Sequence, residues 1–182
     1  MRIIAGRWRG RRLGEAPRGV RPTTDRVRER LFAVLGGSLP GGLAVDLFCG
    51  AGTLGLEALS RGAERCLFVD HSPRSLAALA KNLAALGVGE AEATLRREDA
   101  RRFVQRHWPP GPVAWVFLDP PYGDPAGKSC LEALGDLDPA LLGWVIWEGP
   151  AEDPPALPRL ILARTLDFGD TKLTLWQGGI RP

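Results

Sequence analysis

The segment FLDPPYGDP (Phe117–Pro125) sets a carboxylate, two prolines and the chain's only tyrosine directly after the apolar run VAWVFL. This combination can hold a planar base that carries an exocyclic NH2 group. The lone pair of such an amine is delocalised into the ring. It attacks an electrophile only when both N–H bonds are held and the nitrogen is drawn toward tetrahedral geometry. Asp119 offers one acceptor in its carboxylate, and the carbonyl of Pro120 offers the second. Pro120 keeps Asp119 extended, and neither proline brings a competing N–H. Tyr122 can stack on the base face, worth about 1–3 kcal/mol per base. A base from a duplex or a stacked loop must first be flipped out. The matching reaction is in-line methyl transfer from a sulfonium, driven by positioning and electrostatics. Asp119 need not be a strong base, because the amine turns acidic only as its new bond forms.

A second constellation lies upstream. DLFCGAGTLGLEAL spaces Gly50, Gly52 and Gly55 as G-x-G-x-x-G between a strand and a helix, which permits a tight turn and close approach of a ligand. Asp70 follows fifteen residues after Gly55, where an acid can accept both ribose hydroxyls. Asp99 ends the next strand and can accept from an adenine amino group. Three acids at successive strand ends suit a nucleoside ligand. Nicotinamide enzymes share the glycine spacing, and glycines also serve strand-to-helix packing. However, no basic residue waits to balance a pyrophosphate, and Asp46 suits a ligand with a positive ammonium group. Cys49, inside the turn, reads as a small apolar filler.

Both constellations need a frame that gathers strand ends. LAVDLF, RCLFVD, the weaker EATLRRED, VAWVFLD and LLGWVIWE read as strands. Helices are expected around Leu54 to Leu59, through Leu76, Leu79, Leu83 and Leu86, near Phe103 and near Leu131. Ser72 and Pro73 can start the second of these, and Gly87 stops it. GPAEDPPALP is a loop, and RLILARTLDFGDTKLTLWQ closes the chain as two strands around a Gly169-Asp170 turn. At the start, RIIAGRWRGRRL reads as a short hairpin interrupted by Gly6 and Gly10. RPTTDRVRERLFAVL reads as a helix capped from Thr23, Thr24 or Asp25, striped by Val27, Leu31, Val34 and Leu35, and ended by Gly36-Gly37. Apolar strands between amphipathic helices imply a parallel sheet covered on both faces, a doubly wound α/β fold. Ligands bind such folds at the carboxyl ends of the strands, where both constellations fall.

The 182 residues, 45% hydrophobic and 25% charged, suit one soluble domain. Apolar runs are too short to span a bilayer, and no signal-peptide pattern opens the chain. Cys49, Cys66 and Cys130 are widely spaced and read as reduced thiols of a cytoplasmic protein. His71 and His107 are isolated, so no metal is expected. Residues 1–30 hold ten arginines against Glu15, Asp25 and Glu29, a local charge of +7 in a chain of net +3. A basic arm on a mildly acidic body points to a polyanion, most simply nucleic acid, although a solvated arginine-rich face has the same composition.

DLFCGAGTLGLEALSRGA followed by VFLDPPY resembles class I S-adenosylmethionine-dependent amino-methyltransferases. RIIAGRWRGRRL, RPTTDRVRERLF and FGDTKLTLW extend the likeness over nearly the whole chain to the RsmD family of 16S rRNA guanine-N2 methyltransferases, RPTTDRVRE being its most specific part. The resemblance implies a Rossmann-like seven-stranded, mostly parallel sheet of order 3-2-1-4-5-7-6 with strand seven antiparallel. It implies a single domain over residues 1–182, with a basic hairpin-and-helix extension at 1–37 and a catalytic core at 43–182. The implied cofactor is S-adenosylmethionine. The implied substrate is guanine 966 of 16S rRNA, in partly or fully assembled small subunits, approached by a monomer. By position, Asp46, Phe48, Gly50, Ala51, Gly52 and Thr53 would line the methionine part of the cofactor. Asp70 and His71 would meet the ribose, and Asp99 and Ala100 the adenine. Thr24 and Arg26 would close over the cofactor, while Asp119, Pro120 and Tyr122 hold the base. Arg7, Trp8, Arg9, Arg11 and Arg12 would grip RNA, with Trp8 equally suited to a small core under the hairpin.

Other functions stay open at this point. DPPY suits adenine N6 in DNA or RNA as well, although a DNA enzyme usually needs a separate recognition domain. A nicotinamide oxidoreductase lacks a positioned His, Tyr-Lys pair or cysteine. A non-catalytic RNA-binding module would not need the intact Asp119 to Tyr122 set.

Overall fold

The structure, a computed structural model, describes residues 1–14, 25–37, 39, 41–121, 123–150 and 154–180. Seven strands form one sheet: β1 (Leu43–Leu47), β2 (Arg65–Asp70), β3 (Ala93–Arg97), β4 (Val113–Leu118), β5 (Leu142–Pro150), β6 (Ile161–Phe168) and β7 (Thr171–Gln177). Their order is β3-β2-β1-β4-β5-β7-β6. Pairings from β3 through β5 are parallel, and β7 runs antiparallel to both its neighbours. This is the expected Rossmann-like order. Among the described residues no helix is long and apolar enough to cross a membrane.

Among the described residues five helices cover the sheet: α1 (Asp25–Val34), α2 (Thr53–Ser60), α3 (Pro73–Leu86), α4 (Ala100–Arg106) and α5 (Pro125–Gly135). The alternation of strand side chains builds two apolar layers. Ala44, Phe68, Phe117 and Ile146 face α1, α2 and α3. Val45, Leu47, Val116 and Leu118 face α4 and α5. β4 is buried at all six positions, as a central strand covered on both faces must be. The local signals around α3 hold to the residue. Ser72 caps it by accepting from the Ser75 N–H, Pro73 opens it, and Gly87 ends it at φ 71°.

The hairpin expected at the start is reduced to a single antiparallel bridge, Arg2 to Arg12, around a 3₁₀ turn at Gly6–Trp8. Ile3 N–H donates to Arg11 O and Gly10 N–H to Ile3 O, both at 2.9 Å. The N–H groups of Ile4 and Ala5 donate to the Glu57 carboxylate at 2.8 and 3.0 Å. Diverted to α2, they make no further ladder. Ile3 and Leu13 join Val27, Leu31 and Phe32 in the layer that covers the sheet. The N-terminal extension is therefore one wall of the main core. Of the cap residues expected for α1, Thr23 and Thr24 lie outside the described residues, as do Thr24 and Tyr122 of the expected site.

Candidate active site

The sheet brings the acids together because parallel strands end in register. Asp46 pairs with Phe68 on β2 and Phe117 on β4, and Leu47 pairs with Leu118, so Asp119 follows one residue beyond. Asp46 stands at a position otherwise apolar in this layer. It is buried, and its Oδ2 accepts from the Gly55 N–H at 2.9 Å. Burial pushes its carboxyl up to about 8, and the nearby Asp119 and Asp70 charges push the same way against that hydrogen bond. Among the described residues no basic side chain pairs with it.

The turn after β1 is built by left-handed backbone. Phe48 (φ 60°), Gly50 (φ 54°) and Gly52 (φ 84°) all lie in that region. A Cβ on Gly50 would meet nothing within 4 Å, leaving that side open to a ligand. A Cβ on Gly55 would sit 2.3 Å from Phe68 Cε1, so this glycine serves helix-to-strand packing. Cys49 is a buried thiol whose burial holds its pKa well above the ordinary value, in keeping with a filler.

Asp70 does more than the sequence reveals. Its Oδ2 accepts from the Gly50 N–H at 2.9 Å and its Oδ1 from the Ser72 N–H at 2.7 Å. It thus ties the turn after β1 to the turn after β2, and a second lone pair on each oxygen remains for a ribose hydroxyl. His71 is exposed, with Nδ1 3.8 Å from Asp70 Oδ1. Asp99 caps α4 through Oδ1, accepting from the Arg102 N–H at 2.8 Å, and Ala100 beside it is buried. Ala51 is buried, and Thr53 is half-buried with its hydroxyl donating to Met1 Sδ at 3.2 Å. Arg26 is exposed on the first turn of α1.

Asp119 and Pro120 are half-buried at the end of β4. A Cβ on Gly127 would lie 2.4 Å from Pro120 Cγ, so α5 is seated directly on this proline. Asp124 starts α5 by accepting from the Ala126 N–H at 2.9 Å.

On the N-terminal arm the basic residues divide into two sets. Arg7 pairs with Glu92 and lies over the Trp8 ring at 3.8 Å, and Arg11 donates to Ala85 O at 2.7 Å. Trp8 is half-buried against the core, with its backbone N–H on Ser60 Oγ at 3.1 Å. Arg9 and Arg12 are exposed, and their side chains have no partner among the described residues.

Two buried polar residues escaped the sequence reading. Glu57 holds the arm and accepts from Arg61 Nε at 2.7 Å, with Arg28 Nη1 3.8 Å away. Asn82 donates from Nδ2 to Ala51 O at 3.0 Å and accepts at Oδ1 from the Gly14 N–H at 2.8 Å. The available signal was a polar residue on an apolar face: Glu57 within TLGLEAL, and Asn82 between Leu79 and Leu83.

A family model described as "Conserved hypothetical protein 95" matches residues 1–177. YlbH of Bacillus subtilis (strain 168), provisionally named an rRNA methyltransferase, is 32% identical over 183 residues, covering 97% of this chain and 98% of that protein. Ribosomal RNA small subunit methyltransferase D of Escherichia coli (strain K12) is 42% identical over 124 residues. That match covers 67% of this chain and 60% of the relative's length, less than two thirds of it. The solved structure of YhhF from Escherichia coli, also provisionally named a methyltransferase, is similar with a TM-score of 0.83 at 35% identity, covering 98% of this chain and 97% of that one. With its sheet order, glycine turn and DPPY segment, the chain belongs to the conserved hypothetical protein 95 family, the RsmD family of class I methyltransferases.

Proposed function

We propose that this protein transfers a methyl group from S-adenosylmethionine to the N2 amine of guanine 966 in 16S rRNA. It would act as a monomer on partly or fully assembled small subunits. The observation that carries this reading is a buried acid, Asp46, without a basic partner among the described residues, set close to the Asp119-Pro120 turn in a chain related to rRNA methyltransferases.

The residues fit the cofactor. A buried carboxyl held up to about 8 is stabilised by a cationic ammonium, and the open side of Gly50 leaves room for the methionine part. When bound, the cofactor supplies an electrophilic methyl group on a positive sulfur. Asp46 would receive the ammonium, with Phe48, Gly50, Ala51, Gly52 and Thr53 shaping the turn around it. Asp70, through its remaining lone pairs, and His71 would orient the ribose. The second oxygen of Asp99 and the backbone of Ala100 would face the adenine. Thr24 and Arg26 would close over the site. Asp119 and the Pro120 carbonyl would hold the two N–H bonds and take up the developing acidity of the amine, while Tyr122 stacks on the guanine.

Asp119→Ala separates the two halves of this reading. Methyl transfer should fall by about 10²–10³-fold or more, with cofactor affinity measured by titration calorimetry within about twofold of the parent. A comparable loss of cofactor affinity would put Asp119 in the wrong half of the site.

A further inference from the structure

We propose that Asn82 is a positioning residue that couples RNA on the N-terminal arm to the cofactor turn. This rests on the function proposed above. Asn82 lies on the core face of α3, between Leu79 and Leu83, where an apolar side chain would pack at no polar cost. A buried amide left unpaired is destabilising, so the residue is tolerated only with both ends engaged. One end holds Ala51 O, the carbonyl between Gly50 and Gly52, at 3.0 Å. The other takes the Gly14 N–H at 2.8 Å, where the arm leaves the core. Flipping the amide would oppose donor to donor and acceptor to acceptor, so the two partners together fix its orientation.

The two contacts share one rigid planar group. A shift of Gly14 therefore pulls on Ala51, and a shift of Ala51 pulls on the arm. Two further ties run between the same bodies. Glu57 holds Ile4 and Ala5 to α2, and Thr53, the first residue of α2, donates to Met1 Sδ. Arg9 and Arg12, exposed cations of the arm without a partner among the described residues, sit a few residues from Gly14. An arm drawn onto phosphate and a turn closed on cofactor thus stabilise one another, and the effect is reciprocal.

The test is equilibrium dialysis of tritiated S-adenosylhomocysteine with and without saturating unmodified small ribosomal subunits. Parent, Asn82→Ala and Gly14→Pro proteins are compared. In the parent, subunits should tighten binding about 5-fold or more, the lower range of allosteric coupling. Both variants should lower that factor toward one, with the Glu57 and Thr53 ties left to carry the remainder. Asn82→Ala also frees Ala51 O and should weaken binding when subunits are absent. In Gly14→Pro a ring carbon replaces the N–H that meets Asn82 Oδ1, so the clasp is broken from the arm side. Full coupling retained in Gly14→Pro, or no coupling in a parent that binds both ligands, would overturn the clasp. A parent that fails to bind either ligand would overturn the function proposed above and the clasp with it.

Discussion

Asp46 is the residue whose chemistry departs furthest from its ordinary state. Its carboxyl is held up to about 8, chiefly by burial, against about 3.9 in an unfolded chain. Below about pH 4 it is protonated in both states and carries no penalty. Between about pH 4 and 8 the unfolded chain releases the proton and the folded chain keeps it, so stability falls as pH rises and levels off above about 8. The slope from this group is at most about 1.4 kcal/mol per pH unit. In cofactor-free protein, Asp46→Asn should remove that slope and raise the urea midpoint above the parent's at pH 8, with the gap closing toward pH 4. Parallel curves for the two proteins would show that Asp46 is ionised in the fold. At this scale the sequence located the acids through their strand ends but did not reveal all the bonding of one. Asp70 was expected to face a ribose, and both its oxygens also hold backbone N–H groups, one of them from Gly50 on the neighbouring strand's turn. That bond depends on which strands adjoin.

Among the elements, the arm and α2 depend on each other most. Glu57 is fully buried, accepts two arm N–H groups and Arg61, and lies beside the equally buried Arg28. Arg28 in turn donates to Arg2 O at 2.9 Å and Asp25 Oδ1 at 2.6 Å. Glu57→Ala should destabilise the protein by about 3–5 kcal/mol, the cost of leaving a buried charge without its partner. Denaturant unfolding measures this, and a loss under about 1 kcal/mol would contradict the role given to Glu57. Elements framed by local signals were legible. Ser72, Pro73 and Gly87 mark α3 within the chain itself. The hairpin expected at the start shrinks to one bridge because the groups that compete for its backbone come from far away, Glu57 being 53 positions from Ile4. Asn82 was hidden in the same way, 68 positions from Gly14.

Over the whole molecule, the alternation of apolar strands and amphipathic helices implies the doubly wound parallel sheet, and the resemblance implies its strand order with β7 reversed. Charge distribution was legible as composition, but its division of labour was not. Arg7 and Arg11 anchor the arm to the body, which leaves Arg9 and Arg12 outward for a polyanion. Replacing both with Ala should weaken subunit binding and flatten the slope of log affinity against log salt by roughly one per arginine. An unchanged slope would move the phosphate grip elsewhere on the surface.

The proposed reaction is methylation of one guanine amine in small-subunit rRNA. Its most direct test offers labelled S-adenosylmethionine with unmodified small subunits, naked 16S rRNA and genomic DNA in parallel, followed by mass spectrometry of the nucleosides. N2-methylguanosine should form at a single position, and best on the subunits. N6-methyladenine, or no methylated nucleoside from a protein that binds the cofactor, would contradict it.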